Sequence, residues 1–189
     1  MKRRIAIMLG AAGCAIVAAA AAPAIAADVF TLTSPQLRDD GVLQVKNAGD
    51  KPGNPNCVGQ NVSPPLAWHN PPPGTKSYAL LMYDPEAGGI GFSHMVIYGI
   101  PAAVTHFAEG ALSKPSSQYV GGKNGAGIST YAGPCTPPGV DWHHYTLTIV
   151  ATDLDPKALP AGLTRDQLHA AIKGHVKASA GLIGRFRHP

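Results

Sequence analysis

The feature that most constrains this chain is the alternation of β-prone apolar runs with prolines that cannot enter a central strand. Residues 77–83 form a nearly continuous run that stops at Asp84-Pro85, and residues 95–100 form another, stopped by Pro101. The longest, residues 145–152, is rich in the Thr, Val and Ile that suit a pleated surface. Residues 29–33 alternate at period two, and residues 41–45 do so more loosely. Between these runs stand Pro64-Pro65, Pro71-Pro72-Pro73 and Pro137-Pro138, which lack the N–H that a strand ladder needs. Helix enters late. Thr164-Arg-Asp-Gln167 is a capping box, and Leu168, Ala171, Ile172, Val176 and Ala180 then recur near helical spacing to about Leu182. The pattern predicts a mainly β fold, an antiparallel β-sandwich with a C-terminal α-helix and few short helices.

Residues 1–26 read as a signal peptide. Lys2-Arg3-Arg4 is a basic start without acids, residues 5–22 are Ala-rich and apolar, and Ala24-Ile-Ala26 supplies a small-x-small cleavage pattern after Pro23. A membrane anchor is the competing reading, because the apolar run approaches spanning length. Small residues at its end and the lack of a basic flank favour cleavage. Cys14 raises lipid attachment, which Ala11 disfavours by standing where a larger aliphatic residue is wanted. The expected product is a single domain, residues 27–189, periplasmic or secreted, with no stable membrane span after cleavage.

Without the leader the charge nearly balances. Of 15 Lys+Arg and 11 Asp+Glu, the leader holds three bases, leaving 12 against 11 and a net charge of +1. No Lys/Arg cluster remains to grip a phosphate backbone, so a nucleic-acid partner is not expected. Cys57 and Cys135 are the cysteines outside the leader. In an oxidising compartment such a pair is a disulfide candidate that would tie two loops together; two unconnected buried thiols are the alternative.

Three polar segments border the apolar runs: residues 61–68, Asp84-Pro-Glu86 with Gly91-Phe-Ser-His94, and residues 133–139 followed by His143-His-Tyr145. Pro85 pins the turn behind Asp84, and His94 opens the next strand, which neighbours the first. His143 and Tyr145 share one strand face by period-two alternation while His144 faces away. Asp84, His94 and His143 are therefore expected to converge at strand ends, a carboxylate orienting imidazoles whose N–H groups hold an anion. In the loop before the third strand, Gly133 is free to take a positive φ and Pro134 offers no N–H. Each residue also has a plainer reading. Asp84 caps a turn, His94 is a hydrogen-bonded core histidine, and the prolines guard strand edges.

The ordered motifs N-x-S-P-P-L-x-W, P-x-G-T-K-S, D-P-[DE], F-x-H, G-P-C-x-P-x-G and H-H-Y run from about Phe30 to about Phe186. Together they resemble the phosphatidylethanolamine-binding protein family, closest to its bacterial Raf kinase inhibitor-like branch. The resemblance implies a β-sandwich with an anion pocket at one end, formed here by Asp84, His94, Gly133-Pro134 and His143, with Tyr145 nearby. With the leader, the expected protein is secreted, binds a small anionic or phosphate-bearing ligand and needs no cofactor. Three departures stand out: Gly88 where relatives carry proline, Met95 where they carry Trp, and Phe186 where they often carry a hydroxylated aromatic. Two other classes stay open. A protein partner, through inhibition of a hydrolase or kinase, predicts an exposed apolar rim. A metal-assisted hydrolase would use Asp84, His94 and His143, but no H-E-x-x-H-like spacing or evident nucleophile accompanies them, so neither a metal site nor catalysis is expected.

Overall fold

The computed structural model describes residues 28–189, so the expected signal peptide and Cys14 lie outside the described residues. In chain order the strands are β1 (Thr31–Thr33), β2 (Gly41–Val42), β3 (Leu66–His69), β4 (Ser77–Asp84), β5 (Phe92–Pro101), β6 (His106–Phe107), β7 (Val120–Gly121), β8 (His143–Thr152) and β9 (Val176–Phe186). Among the described residues there is one α-helix, α1 (Arg165–Ile172), which precedes the last strand. Six strands form one sheet in the order β2-β9-β8-β4-β5-β7, and three form a second in the order β1-β3-β6. The fold is the expected mainly β sandwich, with β2 as a parallel edge against β9.

The near-continuous apolar run of β4 follows from burial on both faces of the large sheet. Leu80 and Met82 face the small sheet and join Leu32, Leu66, Trp68, Phe107, Ile97 and Leu147 in one core cluster. Ala79 and Leu81 point the other way, into a second cluster with Val96, Tyr98, Val150 and the helix residues Leu168 and Ile172. Met95, in place of the family's Trp, is 1% exposed and belongs to the first cluster, so this departure alters the core. Phe186 is likewise buried in that core.

Residues 173–182 do not continue as helix. Its start is as predicted: Thr164 Oγ1 accepts from Gln167 N, and the Gln167 side chain answers the Thr164 amide. The helix stops at Ile172, and Gly174 then turns the chain at φ +84°. Beyond it Val176, Ala178, Ala180 and Leu182 match a period of two as well as a helical one. Tertiary pairing decides: β9 lies antiparallel along β8, from Thr152↔Val176 to His143↔Phe186. The strand expected over residues 41–45 is also shorter, because residues 45–47 tighten into a 3₁₀ turn.

The order β8-β4-β5 places the site. These neighbours are antiparallel, so the end of β4 meets the beginnings of β5 and β8, with Asp84 opposite Phe92 and Tyr83 opposite Thr146.

Candidate functional site

At that pole a cavity of about 710 Å³ opens beside Asp84, His94, His143 and Tyr145. Asp84, the last residue of β4, has a side chain only 2% exposed. Its Oδ1 accepts from the amides of Glu86 (2.9 Å) and Ala87 (3.1 Å), which is the turn-capping reading. Its Oδ2 accepts from His143 Nδ1 at 2.7 Å, which is the orienting reading. Both readings hold, one for each oxygen. His144 faces away, as strand alternation requires, and pairs with Glu86 at 3.0 Å.

His94 is 6% exposed, held between Phe92 and Tyr145 with ring centroids 4.8 and 5.1 Å away. Its Nδ1 lies 2.6 Å from the Ala132 carbonyl, which can only accept, so Nδ1 carries the proton. Burial lowers its pKa, outweighing the Ala132 bond and the Asp84 carboxylate. The neutral ring then presents a bare Nε2, 4.0 Å from Asp84 Oδ2 and too far for a hydrogen bond. In this tautomer donation from Nε2 to an anion requires a second proton. Tyr145 is buried with its hydroxyl 3.0 Å from Thr136 Oγ1, and burial raises its pKa.

The third segment supplies a wall. Gly133, Cys135, Thr136 and Pro137 line the cavity; buried Pro134 does not, and its carbonyl instead accepts from the Gly49 amide at 2.8 Å. Pro134 is thus a structural residue of the loop, not a lining one. Gly133 is not at positive φ either. A Cβ there would stand 2.2 Å from the Asn47 carbonyl oxygen and 2.6 Å from Gly49 N, so glycine is needed for close approach. Cys57 and Cys135 form the disulfide, with Cα atoms 4.3 Å apart, and both line the cavity. Gly88, at φ +60° on the opposite rim, occupies a conformation closed to the proline of relatives.

Three asparagines were not anticipated as organisers. Asn61, at φ +53°, accepts the Gly133 amide on Oδ1 (2.7 Å) and donates to the Tyr131 carbonyl (3.3 Å). Asn124 donates to the His94 carbonyl (3.1 Å) and accepts from the amides of Ala126 (2.9 Å) and Ile128 (3.1 Å), shaping another lining loop. Asn47 donates to the Val62 carbonyl (2.8 Å), and its own carbonyl accepts from Tyr131 Oη (2.7 Å). The N-x-S-P-P motif contains Asn61, and asparagine's tolerance of the positive φ it adopts there is the signal the sequence offers.

The sequence model of phosphatidylethanolamine-binding proteins matches residues 33–187. The chain belongs to the phosphatidylethanolamine-binding protein family. Within it, a UPF0098 protein of Aquifex aeolicus is 34% identical over 143 residues, covering 75% of this chain and 84% of the relative. The UPF0098 protein YbcL of Escherichia coli is 34% identical over 130 residues, 66% of this chain and 69% of the relative. The crystal structure of YbcL, a member of the mammalian PEBP family by its description, matches with a TM-score of 0.75 at 28% identity, covering 84% of this chain and 98% of that one. A phosphatidylethanolamine-binding protein homologue of Chlamydia trachomatis, CT736, gives 0.72 at 28% identity, covering 85% and 98%. Family membership supports a ligand-binding role in general terms.

Proposed function

We propose that this protein binds a small anion or a phosphate-bearing head group in the cavity beside Asp84, His94 and His143. The observation that carries this reading is the pair of buried Asp84 and half-buried His143, 2.7 Å apart, bordering a cavity of about 710 Å³ next to a second imidazole. A cavity of this size with few convergent polar groups suits a small ligand. The name of the family supports a phosphate-bearing head group. The reading is one of binding: among the described residues lining the cavity, both cysteines are in a disulfide and the Thr136 hydroxyl pairs with Tyr145. The leader-like start, residues 1–26, and the disulfide support a secreted or periplasmic site of action.

A second reading, a protein partner seated on the cavity rim, is favoured by Ile128, which lines the cavity and is 43% exposed. A two-dimensional NMR titration with phosphate, acetate and phosphoethanolamine separates the two. Saturable shifts around Asp84, His94 and His143 that vanish in Asp84→Ala and His143→Ala support the anion site. No shifts with any of the three ligands reject it and leave the protein partner.

A further inference from the structure

Two loops share one wall of the cavity, and a covalent bond joins them along their span. Residues 49–59 form the first. The Gly59 amide donates to the Gly49 carbonyl at 2.9 Å, so the ends of this loop meet as in an Ω-loop. Inside it, Asn54 N donates to the Lys51 carbonyl (3.2 Å), Asn56 N to Asn54 Oδ1 (3.1 Å) and Cys57 N to the Asn54 carbonyl (3.1 Å). Among the described residues, no hydrogen bond leads from residues 50–57 to another part of the chain. The second loop runs from Cys135 to Trp142, where the Thr136 hydroxyl pairs with Tyr145 (3.0 Å) and Trp142 N donates to Asp141 (2.7 Å). The bases of both loops are anchored separately. Gly49 N donates to the Pro134 carbonyl (2.8 Å), Gly133 N to Asn61 Oδ1 (2.7 Å), and Val58 packs against the core. Beyond those anchors, the Cys57–Cys135 bond ties one loop to the other. Both cysteines line the cavity of about 710 Å³ and both are half-buried, so the bridge borders a space that a small thiol can enter.

From this layout we infer that Cys57–Cys135 is a reversible modification site, a redox switch that opens the cavity wall while the sandwich stays folded. Its partner is a dithiol reductant. One thiolate of that partner attacks a sulfur of the bridge and forms a mixed disulfide. The other protein sulfur leaves as a thiolate and takes up a proton. The partner's second thiol then displaces the remaining protein sulfur, so two electrons and two protons pass to the protein and the partner ends as a disulfide. A disulfide oxidant runs the exchange backwards and closes the wall. Reduction leaves the anchors at Gly49 and Gly133 in place, so the loops part beyond their bases. Lys51 and Asn54 on one loop separate from Thr136 and Pro137 on the other. Asp84, His94 and His143 stand on β4, β5 and β8, whose ladders include neither loop, and they keep their positions. The switch does not depend on which ligand the cavity takes.

The test is ¹⁵N relaxation of the protein at room temperature, oxidised and after dithiothreitol, beside a Cys57→Ser/Cys135→Ser variant. Two thiols per molecule should titrate after dithiothreitol without denaturant. Backbone order parameters in residues 50–57 and 135–142 should fall from about 0.85 to below about 0.6, while those of β4 and β8 stay in the rigid range. The variant should match the reduced protein and ignore dithiothreitol. Oxidised glutathione should restore the rigid loops in the reduced protein. If the variant does not fold, the reduced protein itself carries the comparison. Three results overturn the inference: a bridge that opens only in denaturant, loops that stay ordered after reduction, or order lost across β4 and β8 as well. Each of these marks the bridge as a structural staple. A failure of phosphate to bind removes the proposed anion site and leaves the switch standing.

Discussion

Opening the Cys57–Cys135 bridge should cost this protein a large share of its stability, and the cost can be worked from the chain. The bridge spans a sequence separation of 78 residues. On the loop-closure model a ring of that length removes unfolded-state entropy equivalent to about 4.5 kcal/mol at room temperature. For a domain of this size that corresponds to a fall in Tm of roughly 10–15 °C. Native-state contacts add to the effect, because Gly49 packs against the bridge so closely that a Cβ would lie 2.5 Å from Cys135 Sγ. The assay is urea unfolding of the native protein and of the Cys57→Ala/Cys135→Ala variant, followed by circular dichroism and by tryptophan fluorescence. The free energy should fall by about 4 kcal/mol and the m-value should rise as the unlinked unfolded chain exposes more surface. A loss below about 1 kcal/mol with an unchanged m-value would refute the entropic reasoning. Phosphate binding should weaken in parallel, since both cysteines line the cavity.

Three further outcomes follow. The pKa of His94 is lower in the folded protein than in the unfolded chain, so the unfolded state takes up more protons below about pH 6.5. Stability should therefore decline as pH falls through that value, and His94→Phe should flatten this part of a Tm-versus-pH profile. Gly133→Ala drives a Cβ into the Asn47 carbonyl and should cost about 1–3 kcal/mol, read by thermal unfolding, together with any anion binding. Thr164→Ala removes the oxygen that caps α1 and should cost about 1 kcal/mol while phosphate affinity stays unchanged, since the cap lies outside the cavity.

Much of the architecture is written in local pattern. β4 and β5 are legible because apolar runs stop at proline and β8 because its run is rich in Thr, Val and Ile, and the antiparallel pairing of neighbours carries Asp84, His94 and His143 to one pole. β9 is not legible that way. Its alanines sit at even positions that satisfy either period, and only the ladder with β8, a long-range interaction, selects the strand. The same distance limit applies within the site. Nothing local tells that the Pro134 carbonyl meets Gly49 N, or that Asn61 reaches Gly133 across 72 residues of sequence. The role of His94 turns on a carbonyl 38 residues away, which fixes its tautomer and makes it an acceptor. Residue type placed histidine in the site; its backbone partner determined which way the hydrogen points.

The most direct measurement is a histidine-ring ¹H–¹⁵N spectrum of the protein during titration with inorganic phosphate. In the free protein His94 should show a protonated Nδ1 and a bare Nε2, and His143 a proton on Nδ1 facing Asp84. Phosphate should move the His94 Nε2 and His143 ring signals together along one saturable curve, absent from Asp84→Ala. Ring signals that do not respond to phosphate, or respond equally in Asp84→Ala, would contradict an anion site built on these residues.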